Sequence, residues 1–186
     1  MLGWREDYPP PPPAWIIPAA FFSKIFQTMS FRGAKKMMKA IRVLQFGGPE
    51  VLKVAEIPIP QMLDNQVLIK VYAAGVNPID TYIRTGPTGQ LPYTPGFDAA
   101  GVVHAVGKHV KAFKQGDRVF SFTTVTGAYA EYCVLDEDCT VPLHDNLTFE
   151  QGAGLGIPYY TAYKATVMRG KAKSGETILV HARVVL

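Results

Sequence analysis

The chain has 186 residues, of which 48% are hydrophobic and 18% are charged. This balance is typical of a globular protein with one sizeable core, or one domain and part of another, and it excludes a largely disordered chain. The net charge of +4 arises from scattered basic residues, so it gives no basis for a nucleic-acid platform, although weak nucleic-acid binding stays open.

The first 36 residues differ from the rest of the chain. Prolines 9–13 form an unbroken run that favours an extended conformation, and the apolar stretch after it is too interrupted to span a membrane. Glu6 and Asp7 precede that stretch, where a secretory signal would carry positive charge. We predict a disordered or non-native extension over residues 1–36, no membrane partner, and a cytoplasmic location. Basic residues without acids over residues 8–49 leave a mitochondrial location as the alternative.

Strand patterns then recur at intervals of about ten residues. KAIRVLQFG and VLKVAEIPIP predict two strands joined by a glycine-rich turn, the second ending at a sheet edge at Pro58 and Pro60. QVLIKVYAAGV predicts a strand buried on much of both faces, and RVFSF and AYAEYCVL predict two more. Asp80 to Arg84 is short enough for a single helical turn. The pattern predicts a barrel or sandwich over residues 37–147.

The pattern changes near Asn146. Thr148 can cap a helix with Gln151 as its reciprocal partner, and helical signal continues to Met168 with a break at residues 156–158. Gly175 and Glu176 then lead into TILVHA, for which we predict a short buried strand. We therefore predict a mainly β domain followed by the opening of an α/β domain over residues 148–186.

The segment PGFDAAGVVHAVGKHV, residues 95–110, is the most informative part of the chain. Its glycines indicate turns or close backbone approach, and by spacing alone an ordinary glycine-punctuated strand explains them equally well. The segment also resembles the signature of the medium-chain dehydrogenase/reductase superfamily. The residues that fall on that signature are Gly96, Asp98, Gly101, Gly107 and Val110.

Further segments narrow this resemblance to one branch of the superfamily. Residues 38 to about 181, roughly four-fifths of the chain, resemble the zinc-free quinone oxidoreductases of the zeta-crystallin type. The matching segments are FGGPEVLKV, QVLIKV, GVNPIDTYIR, LPYTPG, GDRVF, GAYAEY, GIPYYTAY and GETILVH. The resemblance implies a GroES-like β-barrel followed by a Rossmann domain, here incomplete.

Several departures from the zinc-dependent relatives predict that no metal site is present. Phe97 stands where those relatives carry a metal-binding histidine, and Asn77 and Pro78 replace their cysteine region. Neither a phenyl ring nor an amide is a good zinc ligand. Cys133 and Cys139 form no Cys-x-x-Cys pair, so we interpret them as reduced strand residues rather than metal ligands or a disulfide.

The resemblance implies that NADPH delivers a hydride to a quinone or an activated alkene. It assigns Asn77 and Tyr82 as catalytic residues, whereas spacing alone indicates a helix cap and a surface tyrosine. The cofactor-binding residues that it implies are Tyr82, Ile79, Asp80, Thr161 and Tyr163. For Asp98 we expect a structural role, accepting hydrogen bonds from nearby backbone or from an arginine such as Arg84.

A dinucleotide site also needs a glycine-rich turn after the first Rossmann strand. No glycine follows Gly175 in this sequence. We therefore expect a chain that is truncated at the start of the Rossmann domain and does not bind NADPH tightly. We expect it to be inactive in this form, and whether it acts as an enzyme stays open. A small-molecule quinone, a homo-oligomer and a full-length paralogue are the expected partners. The alternative function is a non-enzymatic GroES-like interaction or RNA-binding module.

Overall fold

The structure, a computed structural model, describes residues 36–86 and 90–180. The predicted extension over residues 1–36 therefore lies outside the described residues, apart from Lys36. Within the described ranges the strands are β1 (Met37–Val43), β2 (Leu52–Pro58), β3 (Gln66–Ala74), β4 (Ala99–Val106), β5 (Arg118–Ser121), β6 (Tyr132–Asp136) and β7 (Thr140–Pro142). The helices are α1 (Pro78–Thr85), α2 (Phe149–Leu155) and α3 (Ile157–Tyr163), which a π-helical segment, Lys164–Arg169, extends. These elements confirm the prediction of a mainly β chain.

Five strands form one antiparallel sheet in the order β6–β3–β4–β5–β7. The other two, β1 and β2, form an antiparallel hairpin. Within residues 36–86 and 90–180, β2 pairs with β1 alone, which agrees with the edge that the prolines at its end predicted. Backbone hydrogen bonds join this hairpin to loops of the large sheet. Ile41 donates to the Tyr129 carbonyl at 2.8 Å, and Val43 donates to the Tyr93 carbonyl at 2.9 Å.

Side chains from four strands of the large sheet, β3 to β6, form the core. Its members are the fully buried side chains Val67, Ile69, Ala99, Val103, Val119, Cys133 and Leu135, together with Ala128. Gly101 of β4 faces Val71 of β3 and Val119 of β5. A Cβ atom at this position would overlap the Lys70 carbonyl oxygen. The glycine therefore permits the close approach of strands that its spacing suggested.

The predicted cap at the start of α2 is confirmed. The Thr148 hydroxyl accepts from the backbone N–H of Gln151 at 3.2 Å, and the Gln151 side chain accepts from the N–H of Thr148 at 2.9 Å. The Phe149 ring stacks on Tyr72 of β3 with 4.7 Å between centroids. The cap and the stacked rings place α2 against the sheet.

The structure corrects four local predictions. Helix α1 has two turns rather than one, because it begins at Pro78 instead of Asp80. β3 is buried on both faces only at its first four residues and then alternates. Cys133 is a strand residue, but Cys139 lies in a 3₁₀ turn before β7. The fourth correction is that TILVHA does not form the predicted buried strand over its described residues.

Residues 177–180, the described part of TILVHA, form no strand. Ile178, Leu179 and Val180 are 50%, 79% and 70% exposed instead of buried. A strand needs a neighbour that pairs with its backbone, and the described residues offer none beside this segment. The apolar composition was therefore insufficient to predict the element.

Candidate functional site

The buried carboxylate of Asp98 joins the beginnings of two helices. It is fully buried just before β4 and accepts hydrogen bonds from Asn77 Nδ2 at 2.9 Å and from the backbone N–H of Ile157 at 2.9 and 3.1 Å. Burial raises the pKa of Asp98 above its usual value and outweighs these two donors, which act in the opposite direction. A Cβ atom on Gly156 would overlap this carboxylate, so glycine is needed beside it.

The structural role predicted for Asp98 is confirmed, but one predicted partner is wrong. The Arg84 side chain donates from Nε to the Gly47 carbonyl at 3.2 Å instead. The actual partners are an amide 21 residues earlier and a backbone N–H 59 residues later. Asp98 thereby holds the start of α1 beside the start of α3.

The sequence Asn77-Pro78-Ile79-Asp80 explains why α1 begins where it does. Proline is favoured in the first turn, and Asp80 reaches back to accept the Asn77 N–H at 2.8 Å. The same oxygen, Oδ2, accepts the Tyr129 hydroxyl at 2.9 Å. Burial, followed by this hydrogen bond to Asp80, raises the pKa of Tyr129 well above its usual value. Tyr129 therefore stays protonated and acts as a donor.

The remaining predicted site residues lie on the exposed surfaces of the two joined helices. Ile79 and Tyr82 of α1 are 38% and 64% exposed. Thr161 and Tyr163 of α3 are also exposed. The structure thus places five of the six predicted residues on two helices whose first turns are held by Asp98, and the sixth, Asn77, immediately before α1. Their assignment to catalysis and cofactor binding stays a prediction.

A cavity of about 410 Å³ lies beside α1. Its walls are mainly apolar and include Ile83, Phe97 and Val125, and its polar lining includes Arg42, Asp80 and Tyr93. Such a volume is within the range of small-molecule sites. Phe97, which stands at the position of a metal-binding histidine in zinc-dependent relatives, is thus a wall of this cavity.

Sequence reasoning missed Tyr93 and Tyr129. Both lie in segments that carried the resemblance, LPYTPG and GAYAEY, but neither pattern indicated that the two rings approach α1. Tyr129 contacts Asp80 across 49 residues of sequence. Only the pairing of the strands brings these segments together.

Comparisons with known proteins match this chain to one domain family and to a set of related enzymes. Residues 63–145 match the alcohol dehydrogenase GroES-like domain. The chain is 54% identical over 151 residues to the quinone oxidoreductase of Sus scrofa and 52% identical over 151 residues to that of Homo sapiens. Each match covers 79% of this chain and 46% of the relative.

Solved structures of quinone oxidoreductases share the fold of this chain. A quinone oxidoreductase from Coxiella burnetii has a TM-score of 0.71 and 36% identity, covering 75% of this chain and 47% of that one. Over about four-fifths of its length, this chain is a homologue of the quinone oxidoreductases. A mycobacterial structure described as complexed with NADPH has a TM-score of 0.70 and 38% identity, covering 74% of this chain and 43% of that one.

These matches confirm the predicted GroES-like domain and its relation to the Rossmann-containing medium-chain enzymes. The chain spans about half the length of the curated quinone oxidoreductases that it matches. Among the described residues, no helix is long and apolar enough to cross a membrane. In the same part of the chain, His, Cys, Asp and Glu side chains form no group of three that could hold a metal ion.

Proposed function

We propose that this chain carries the acceptor-binding part of an NADPH-dependent quinone oxidoreductase. The observation that carries the proposal is the junction at Asp98, which holds the starts of α1 and α3 together, while α1 also lines a cavity of about 410 Å³. The similarity to quinone oxidoreductases supports a quinone as the hydride acceptor, and an activated alkene is a second class of acceptor for the same hydride transfer. When bound, NADPH supplies the hydride.

The exposed surfaces of α1 and α3 fit the nicotinamide end of such a cofactor. Tyr82 and Tyr163 are 64% and 55% exposed and offer flat apolar faces. Thr161 adds a hydroxyl on α3. We assign Ile79 to the wall of this surface. Asp80 is only 6% exposed, so we assign it to positioning α1 rather than to direct contact with the ring.

Asn77 and Tyr82 have different tasks in this proposal. Asn77 is 5% exposed and its amide nitrogen donates to Asp98, so it orients the first turn of α1. The Tyr82 hydroxyl is accessible, and it acts as a donor to the acceptor oxygen where negative charge develops during reduction. Because a neutral hydroxyl can donate this hydrogen bond, stabilising the developing charge requires no metal ion.

We also propose that the reaction proceeds without zinc. The Phe97 ring has no lone pair for a metal, and the amide of Asn77 is committed to Asp98. We keep the domain boundaries as proposals, with the substrate domain over residues 37–147 and the start of the cofactor domain over residues 148–186. The proposed location is the cytoplasm.

Quinone-dependent oxidation of NADPH by the purified chain tests this function. The assay uses millimolar NADPH and 1,4-naphthoquinone, with far-UV circular dichroism to show that the chain is folded. Because the sequence predicts weak NADPH binding and inactivity at ordinary cofactor concentrations, the millimolar NADPH is needed to detect a slow turnover. Tyr82→Phe should lower that turnover about tenfold or more, because one donor is lost. The matched control is Tyr72→Phe, an exposed tyrosine of β3 that stacks on α2. A folded chain without turnover would overturn the proposal and favour the non-enzymatic alternative.

A further inference from the structure

Tyr129 lies where three segments of the domain meet beside α1. Its backbone N–H donates to the Pro95 carbonyl at 3.0 Å, and its own carbonyl accepts from Ile41 of β1 at 2.8 Å. Its ring lies against Gly96, where a Cβ atom would be only 2.5 Å from Tyr129 Cδ1. The main chain and the ring of Tyr129 are therefore fixed by contacts that do not involve its hydroxyl group.

The hydroxyl group of Tyr129 contacts the buried side of α1. It donates to Asp80 Oδ2 at 2.9 Å, and the same oxygen accepts the Asn77 N–H at 2.8 Å. Among the described residues, the other oxygen of Asp80, Oδ1, has no hydrogen-bond partner. A buried carboxylate is costly unless donors compensate for its lost hydration. Without the Tyr129 hydroxyl, the Asp80 carboxylate should therefore turn toward water and take α1 with it.

The geometry of α1 couples the direction of Asp80 to that of Tyr82. With 3.6 residues per turn, Tyr82 is about 200° from Asp80 around the helix axis. Asp80 is accordingly buried, and Tyr82 is 64% exposed on the opposite face of the helix. At the other end of α1, Arg84 Nε donates to the Gly47 carbonyl at 3.2 Å. A rotation of α1 that releases Asp80 would therefore swing Tyr82 by the same angle.

We propose that Tyr129 is a positioning residue for Tyr82. By holding Asp80, the Tyr129 hydroxyl fixes the rotation of α1 and so the direction in which the Tyr82 hydroxyl points. This inference deepens the proposed function and rests on it for the task of Tyr82 as a donor to the acceptor oxygen. It assigns a part in the reaction to a residue outside both helices of the site.

Nuclear magnetic resonance of the full chain tests this inference without NADPH or a quinone. Tyr129→Phe removes the hydroxyl and keeps the ring. With isotope-labelled tyrosine, the Tyr82 ring signals should shift or split in this variant, because the ring takes up a different direction. The signals of Tyr72, which is 54% exposed on β3, should not change. Tyr82→Phe identifies the Tyr82 signals by their loss.

Thr140→Val is the matched control. It removes another buried hydroxyl, which donates to the Asp136 carbonyl at 2.8 Å in a different part of the sheet. It should leave the Tyr82 signals unchanged. Unmoved Tyr82 signals in a folded Tyr129→Phe chain would overturn the inference. Failure of Tyr129→Phe alone to fold, measured by far-UV circular dichroism, would also overturn it, because the hydroxyl would then support the whole domain rather than α1.

A double-mutant cycle in the NADPH oxidation assay shows whether Tyr129 acts through Tyr82. Tyr129→Phe should lower kcat about fivefold in the wild-type chain but less than about twofold in a Tyr82→Phe chain, because both changes act on one donor. Equal losses in the two backgrounds would overturn the inference even if NADPH oxidation is observed. Tyr82 signals that move in a chain without turnover would support the positioning role while the proposed function fails.

Discussion

Replacing Asp98 with alanine tests whether one buried carboxylate holds two helices together. Alanine would leave Asn77 Nδ2 and the Ile157 N–H, both now 2.9 Å from this carboxylate, without an acceptor. Each unpartnered buried donor costs about 1–3 kcal/mol. Relief from burying the carboxylate, whose pKa is raised by that burial, offsets part of the cost. We expect the free energy of unfolding to fall by about 2–4 kcal/mol.

Urea unfolding of the full chain, followed by far-UV circular dichroism, measures this loss. Asp64→Ala is the matched control, because the Asp64 side chain is 54% exposed and pairs with Lys108 at the surface. The control should change the free energy of unfolding by less than about 0.5 kcal/mol. Hydrogen exchange at the Ile157 amide should accelerate in Asp98→Ala alone. If both variants behave alike in both measurements, the reasoning is refuted.

Asp98→Asn separates the charge of this side chain from its hydrogen bonds. Because burial raises the pKa of Asp98, ionisation costs more in the folded chain than in the unfolded one. The stability contributed by the protonated carboxyl is complete below the ordinary value of 3.8 and is lost as pH rises through the raised pKa. Asparagine does not titrate, so its deficit relative to the wild type should shrink as pH rises across this range. A deficit that grows instead would contradict this assignment.

Three further predictions concern glycines, thiols and a helix cap. Gly101→Ala should cost about 1–3 kcal/mol in urea unfolding, because its Cβ would overlap a neighbouring backbone carbonyl. Gly154→Ala, in open space, should be neutral or stabilise the chain by up to about 1 kcal/mol; the reverse order would contradict the strand packing. A disulfide reagent should modify Cys139 well before Cys133, whose pKa burial raises to about 12, and equal rates by mass spectrometry would argue against that burial. Thr148→Ala should cost about 1 kcal/mol in thermal unfolding, whereas Thr148→Ser should retain most of the stability.

Sequence reasoning succeeded where short-range rules decide the structure. The reciprocal cap of Thr148 and Gln151 spans three residues, and its pattern was sufficient to place the start of α2. The prolines at the end of β2 likewise indicated an edge, since proline cannot donate to a neighbouring strand. Glycine spacing indicated turns or close backbone approach, and at Gly101 the structure shows the close approach.

The same reasoning failed where a residue's partner is remote in sequence. TILVHA has the composition of a buried strand, but its described residues are exposed because strand formation depends on a neighbour. For the carboxylate of Asp98, the expected backbone donor is found in the Ile157 N–H, but the expected Arg84 is not a partner and Asn77 Nδ2 donates instead. No local pattern distinguishes among hydrogen-bond donors that lie tens of residues away.

By itself, the sequence determined the mainly β architecture, because periodicity and caps are local properties of the chain. Its resemblance to the quinone oxidoreductases marked the segments that carry the candidate site. Only the tertiary structure decided that Asp98 joins α1 to α3, that Asp80 and Tyr93 line one cavity, and that Tyr129 donates to Asp80. The physical reason is that burial and hydrogen bonding are settled by strand pairing across the sheet. Those contacts decide which polar atoms are satisfied.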